Sequence, residues 1–148
     1  MTNNLTKSKL ISLFLKGCKK KKHWKIGTEH EKFGFKKRNL RPITYEDINR
    51  IFLRLSSKYS WVEKKENGKI ISLSKNNCSI TLEPGGQIEL SGAPLKNLFE
   101  TCKEVNVHQN ELTDVCKDLD IDFMGMGFIP KWKLEDIPIM PKARYKIM

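Results

Sequence analysis

Four carboxylates in two short strand-like segments carry the strongest chemical signal in this sequence: Glu29 and Glu31 in IGTEHEKFGF, and Glu83 and Glu89 in ITLEPGGQIELSG. They lie among Gly, Phe, Ile and Leu, in a chain whose formal net charge is +11. Carboxylates are costly to desolvate in such company and need a cation. Side chains two apart in a strand project to one face. From Ile26 to Phe35 this puts Gly27, Glu29, Glu31, Phe33 and Phe35 on one side, and Thr28, His30 and Lys32 on the other. In the second segment Gln87, Glu89 and Ser91 share a face opposite Ile88 and Leu90, while Glu83 precedes a Pro84-Gly85-Gly86 turn that lets backbone approach a ligand. If both strands belong to one sheet the acids converge, and close carboxylates repel unless one is protonated or a cation sits between them. Oxygen donors of this kind suit Mg²⁺, Mn²⁺ or Ca²⁺ better than zinc. One Glu pair alone is more commonly a solvated strand face. Two pairs, each set among Gly and apolar residues, favour the metal site.

The elements that must position these acids follow from periodicity and turn chemistry. Residues 6–20 read as a helix capped by Thr6, with Leu10, Leu13, Phe14 and Gly17 on one stripe. A strand follows over 24–35. A second helix over about 45–58 opens with Thr44 and Asp47 in a capping-box spacing and buries Ile48, Ile51, Phe52 and Leu55. Strands are expected over 61–65, 69–74, 78–83 and 87–91, separated by Asn67-Gly68, Lys75 to Asn77 and the Pro-Gly-Gly turn; this is an antiparallel meander. The longest helix is predicted over 95–119, with Pro94 in its first turn and Leu98, Phe99 and Cys102 on its apolar stripe. A last strand is expected over 121–129, where Gly125 and Gly127 leave room for a ligand or backbone and Met124, Met126 and Phe128 fill the core. Residues 130–148 read as a loop. Helices on one face of an antiparallel sheet define an α+β class whose other face is free to carry a site.

A chain of 148 residues with 39% hydrophobic and 30% charged residues is one soluble globular domain. No run reaches membrane-spanning length. The apolar stretch Leu10 to Leu15 precedes the lysines at 19–22 instead of following them, the wrong order for a secretory signal, so the expected location is the cytoplasm. Cys18, Cys78, Cys102 and Cys116 are too far apart in sequence for a zinc motif and read as free, core-filling thiols. The excess of base over acid invites a nucleic-acid hypothesis. Lysine far outnumbers arginine, however, and no nucleic-acid motif accompanies it, which argues against that partner.

Beyond composition, IGTEHEKFGF, ITLEPGGQIELSGAPL, the Cys102 to Asn106 stretch, GMGFIPKW and EDIPIMPKARYKIM together resemble the N-terminal part of plant-type glutamate-cysteine ligases, over residues 24–148. The resemblance implies ATP-dependent joining of the side-chain carboxylate of glutamate to the amine of cysteine through an acyl phosphate, the first step of glutathione synthesis. It further implies a sheet similar to that of glutamine synthetases and guanidino kinases, with Mg²⁺ and ATP on its concave face. Glu29, Glu31, Glu83 and Glu89 stand at the family's metal-binding positions. Arg144, in MPKARY, is expected to be the cationic partner of the glutamate carboxylate or the transferring phosphoryl group, with a surface ion pair as the alternative, and Gln87 and Lys142 are expected substrate contacts. Cys102 matches a cysteine of a regulatory disulfide in plant members, and without its partner it is expected to be a buried thiol. Ala143 replaces a family glycine and Ile129 a family glutamine. Family members are about three times this long, so residues 1–148 are expected to form one partial domain: 1–23 a helix and basic segment, 24–148 part of the catalytic domain. The expected partners are glutamate, cysteine and ATP, with no membrane and no nucleic acid. An incomplete sheet also predicts inactivity of the chain alone and self-association through uncovered apolar surface. A related ligase with another amine acceptor and a basic binding module are the alternatives.

Overall fold

A computed structural model of the chain describes residues 4–147. Six strands form one antiparallel sheet: β1 (Glu29–Lys36), β2 (Val62–Glu66), β3 (Lys69–Lys75), β4 (Cys78–Leu82), β5 (Gln87–Ser91) and β6 (Ile121–Met124), in the spatial order β2-β3-β4-β5-β1-β6. The turns explain the meander. Asn67-Gly68 and Asn76-Asn77 both hold positive φ at two successive positions, as two-residue hairpins matching strand twist require. Gly85 and Gly86 are also at positive φ, which only Gly adopts freely, and they carry the chain from β4 into β5.

Alternation then sorts the side chains. Ile80 and Leu82 of β4, Ile88 and Leu90 of β5 and Leu73 of β3 are all fully buried on one face. Two helices cover it. The first, α2 (Tyr45–Tyr59), starts at a complete capping box: Thr44 Oγ1 accepts from the Asp47 amide, and the Asp47 carboxylate accepts from the Thr44 amide. Its Ile48, Ile51, Phe52 and Leu55 enter the core, and a Lys36–Asp47 ion pair at 2.7 Å ties its first turn to β1. The second, α3 (Leu98–Val115), contributes Leu112 and Val115. Arg54 locks the two helices together, donating to the Val115 carbonyl at 2.7 Å and to both oxygens of Asp118.

Several boundaries differ from the expectation, each for a local reason. The third helix starts at Leu98, because the side chain of Asn97 accepts from the Glu100 amide as N-cap, while Leu95 is spent on a two-way backbone pairing with Ile26. Pro94 therefore lies outside the helix. Leu98, Phe99 and Cys102 are exposed, not buried. The last strand ends at Met124, and Met124 and Phe128 are 52% and 69% exposed; neither is core. At the N-terminus, α1 (Lys7–Gly17) is capped by Thr6 but buries no residue, so Leu10, Leu13 and Phe14 form an uncovered stripe. Exposed apolar surface thus sits on α1 and the start of α3, and not on the apolar sheet face, which α2 and α3 cover. Of the four thiols only Cys116 is buried, where desolvation pushes it up to about 12.

Gly34 marks the tightest point of the packing. A Cβ there would overlap Ile43 Cδ1 and lie 2.8 Å from Ile43 Cγ1 and 2.9 Å from Phe123. Ile43 is itself 1% exposed and has nowhere to retreat. Gly34→Ala is expected to destabilise the fold by about 1–3 kcal/mol, the usual cost of overpacking a filled core. Urea denaturation of the two proteins checks this; an unchanged midpoint would show that the Ile43 side chain repacks freely.

Candidate active site

The strand register brings one acid from each segment face to face. Glu31 on β1 lies directly opposite Glu89 on β5, and Glu29 lies opposite Ser91. Next along the sheet, Thr81 on β4 is opposite Glu89. Directly paired residues project to the same side, so Glu29, Glu31, Gln87, Glu89, Ser91 and Thr81 share the face that α2 and α3 leave open. The two opposed carboxylates have only light support: Ser91 Oγ donates to Glu89 Oε1 at 2.6 Å, and Gln87 Nε2 reaches Glu31 Oε2 at 3.5 Å. Like charges directly opposite on neighbouring strands are destabilising. A cation between them would remove that cost.

Glu83 lies apart from this pair. Its Oε1 accepts from Lys142 Nζ at 3.1 Å, and its Oε2 accepts from Arg144 Nη2 and from the Tyr145 hydroxyl at 3.2 Å. The side chains of Glu83 and Lys142 are 15% and 11% exposed, whereas that of Arg144 is 58% exposed. The single proton of the Tyr145 hydroxyl is shared with the Leu82 carbonyl at 3.0 Å, which pins the C-terminal segment across the end of β4. Hydrogen bonding to Tyr145 and the neighbouring Glu83 charge raise the Arg144 pKa, so its guanidinium is cationic throughout the working range. Three of the residues singled out in sequence, Glu83, Lys142 and Arg144, therefore form one ion-paired group.

Among the described residues, no three carboxylate, histidine or cysteine side chains come together as a ready cation site. The structure instead supplies an opposed pair, Glu31 and Glu89, with Glu29 one step further along. This still fits Mg²⁺, which protein sites commonly hold through one or two carboxylates, with phosphate and water filling the remaining positions. Thr81 Oγ1, next to Glu89, is buried and lacks a hydrogen-bond partner, as expected where a bound group completes the surface. An open cleft of about 460 Å³ lined by Glu29, Glu31, Gly125, Met126 and Gly127 adjoins the pair, so the two glycines do border space a ligand could fill. Next to it, Phe33, Phe35, Leu40, Met124, Met126 and Trp132 enclose an apolar pocket of about 130 Å³. Trp132 packs edge-on to Phe33 and donates to the Leu40 carbonyl at 2.6 Å.

Sequence reading missed Thr81 and Tyr145. It also left unused the far side of β1, where Lys32 and His108 are 2% and 1% exposed. A period-2 signal for Lys32 was present, since it alternates with Glu31 and must face the helices.

The candidate site is thus an open, carboxylate-bearing face on a helix-backed antiparallel sheet, with Lys142 and Arg144 held by Glu83. Comparison with known proteins makes this specific. Glutamate-cysteine ligase family 2 matches residues 25–148, and the chain belongs to that family. It is 51% identical over 148 residues to glutamate-cysteine ligase A, chloroplastic, of Oryza sativa subsp. japonica, covering 100% of this chain and 30% of the relative. The chloroplastic ligases of Brassica juncea and Arabidopsis thaliana are each 50% identical over 147 residues, covering 99% of this chain and 29% and 28% of theirs. The chain thus spans about 30% of the length of the curated relatives it matches. These relatives are named as chloroplastic, which overturns the expected cytoplasmic location. Among the described residues no helix is long and apolar enough to cross a membrane.

Proposed function

We propose that this chain forms the carboxylate-bearing part of the active site of an ATP-dependent glutamate-cysteine ligase. The observation that carries the proposal is the direct opposition of Glu31 and Glu89 on the open face of the sheet, in a chain that belongs to the ligase family. Glu31 and Glu89, with Glu29 beside them, would hold Mg²⁺. Bound there, the ion supplies charge neutralisation among phosphate oxygens. Ser91 fixes the orientation of Glu89 and Gln87 that of Glu31. Glu83 acts as the anchor that points Lys142 and Arg144, although the family resemblance also makes it a metal-ligand candidate.

In the reaction, a glutamate side-chain oxygen attacks the terminal phosphorus of ATP and ADP departs. The amine of cysteine then adds to the acyl carbon, phosphate leaves, and the amine loses a proton. Arg144 is half-exposed and has a planar fork matched to carboxylate or phosphoryl oxygens, so it serves as the cationic contact during both steps. On this reading the sheet is the same kind as in glutamine synthetases and guanidino kinases, residues 24–148 belong to the catalytic domain, and 1–23 form an appended helix and basic segment. The substrates are glutamate, cysteine and ATP.

The test is a chimera in which residues 25–148 replace the matching segment of the Arabidopsis thaliana ligase. ATP-dependent formation of gamma-glutamylcysteine is expected. A folded chimera that hydrolyses or ligates nothing would overturn the reading, and a product with another amine would reassign the acceptor.

A further inference from the structure

The face of β1 that points away from the carboxylates contains a charge without a counterpart. Lys32 is 2% exposed, and its one hydrogen bond among the described residues runs from Nζ to the His30 carbonyl at 3.1 Å. An ammonium has three N–H donors, so two are unused. No carboxylate among the described residues forms an ion pair with it, although buried lysines are almost never found without one. Its surroundings are basic as well. Neither ring nitrogen of His108 has a partner, nor does Nδ1 of His30.

Lys32 is also a wall of a half-enclosed cavity of about 460 Å³ between α3, β1 and β6. Lys37 and Lys117 line its rim and Gln109 and Thr113 its α3 side, against one acid, Asp122. Asp122 is occupied by the Phe123 amide at 2.8 Å, and Lys117 is shared with Asp114 at 3.1 Å. The cavity therefore has a buried cation at its base, two cations at its mouth and neutral donors between. Water alone would satisfy the spare donors but would not offset the charge.

We propose that this cavity is an oxyanion site, in which the unused donors of Lys32 bind a phosphate or carboxylate group and Lys37 and Lys117 neutralise its outer oxygens. The site is on the opposite side of β1 from Glu29 and Glu31, and it does not depend on the ligase reading. Charge-assisted hydrogen bonds from a desolvated ammonium are the strong kind, so one anion would remove the main polar defect of the helix-covered face.

Thermal unfolding of the full 148-residue chain tests it, with sodium phosphate and sodium succinate each titrated against sodium chloride at equal ionic strength. One of the two anions is expected to give a saturable rise in Tm, roughly 5 °C at about thirty times its Kd for a domain of this size. A larger response to phosphate assigns a phosphoryl ligand, and a larger response to succinate assigns a carboxylate. Lys32→Met should abolish the rise while raising Tm in chloride, because it removes a buried charge and keeps the stem. Lys96→Ala, on the surface away from the cavity, should keep it. Should Lys32→Met not fold, the exposed Lys37→Ala, Lys117→Ala double variant reads the same loss. Phosphate and succinate effects that are linear and unsaturated, as preferential exclusion gives, or a saturable rise that survives in Lys32→Met, would overturn the proposal.

Discussion

Glu31→Gln in the active chimera is expected to lower kcat/KM by about 10²- to 10³-fold, the range typical of losing one preorganised electrostatic contact to a transferring group. The same substitution is expected to stabilise the protein slightly in the absence of metal. Both signs come from one geometric fact, the opposition of Glu31 and Glu89 across β1 and β5. Without a cation these two carboxylates repel at cross-strand distance, and replacing one by its neutral isostere relieves about 0.2–1 kcal/mol. With a cation they act together, and the remaining carboxylate binds it far less well. A residue whose loss improves the fold and harms the reaction is held for function. Glu83→Gln should behave differently. It releases Lys142 and Arg144, so stability and activity both fall. Denaturant unfolding in EDTA, alongside steady-state kinetics at saturating Mg²⁺, distinguishes the two. A Glu31→Gln enzyme with unchanged turnover would remove the metal assignment from this strand.

Much of this geometry was legible because it depends on local rules. Thr44 and Asp47 cap α2 through bonds three residues apart, and Asn67-Gly68 and Asn76-Asn77 occupy turns that demand positive φ. Period-2 alternation was enough to put Glu29 and Glu31 on one face and Lys32 on the other. The pairing of Glu31 with Glu89, in contrast, is a register between segments 58 residues apart, and no local signal fixes it. Helical periodicity overran the true start of α3 because Leu95, Leu98 and Phe99 fit the pattern equally well. What decided the boundary was a long-range pairing of Leu95 with Ile26. Met124 and Phe128 were misplaced for a related reason. Apolar character predicts burial only where another element arrives to cover it, and these two residues stay exposed. Glu83 was read as a metal ligand from its place beside a Gly-rich turn, but its ion pairs with Lys142 and Arg144 span 59 and 61 residues of sequence.

Acid sensitivity starting near pH 6.5 is the second large effect expected, and it follows from His108. This side chain is 1% exposed and packs edge-on to Trp61, with both ring nitrogens unpartnered. Burial holds its pKa down at about 3 against an ordinary 6.5. Between those values the unfolded chain carries a proton at this position and the folded chain does not. The unfolded state therefore binds more protons, and stability declines as pH drops through that window. At about 1.4 kcal/mol per unit the ceiling is on the order of 5 kcal/mol, a large part of the 5–15 kcal/mol that holds a typical domain together. Paired carboxylates such as Asp114, which hydrogen bonds from Lys58, Tyr59 and Lys117 hold well below the usual range, lose their contribution only at lower pH. The two windows are therefore separable. His108→Leu removes a group that makes no hydrogen bond in the fold and keeps about the same volume, so it should cost little at pH 7 and flatten the decline between pH 6.5 and 4.5. Urea midpoints at half-unit intervals measure this directly. Parallel curves for the two proteins would mean that His108 takes its proton within the folded state, through an opening of α3 away from Trp61.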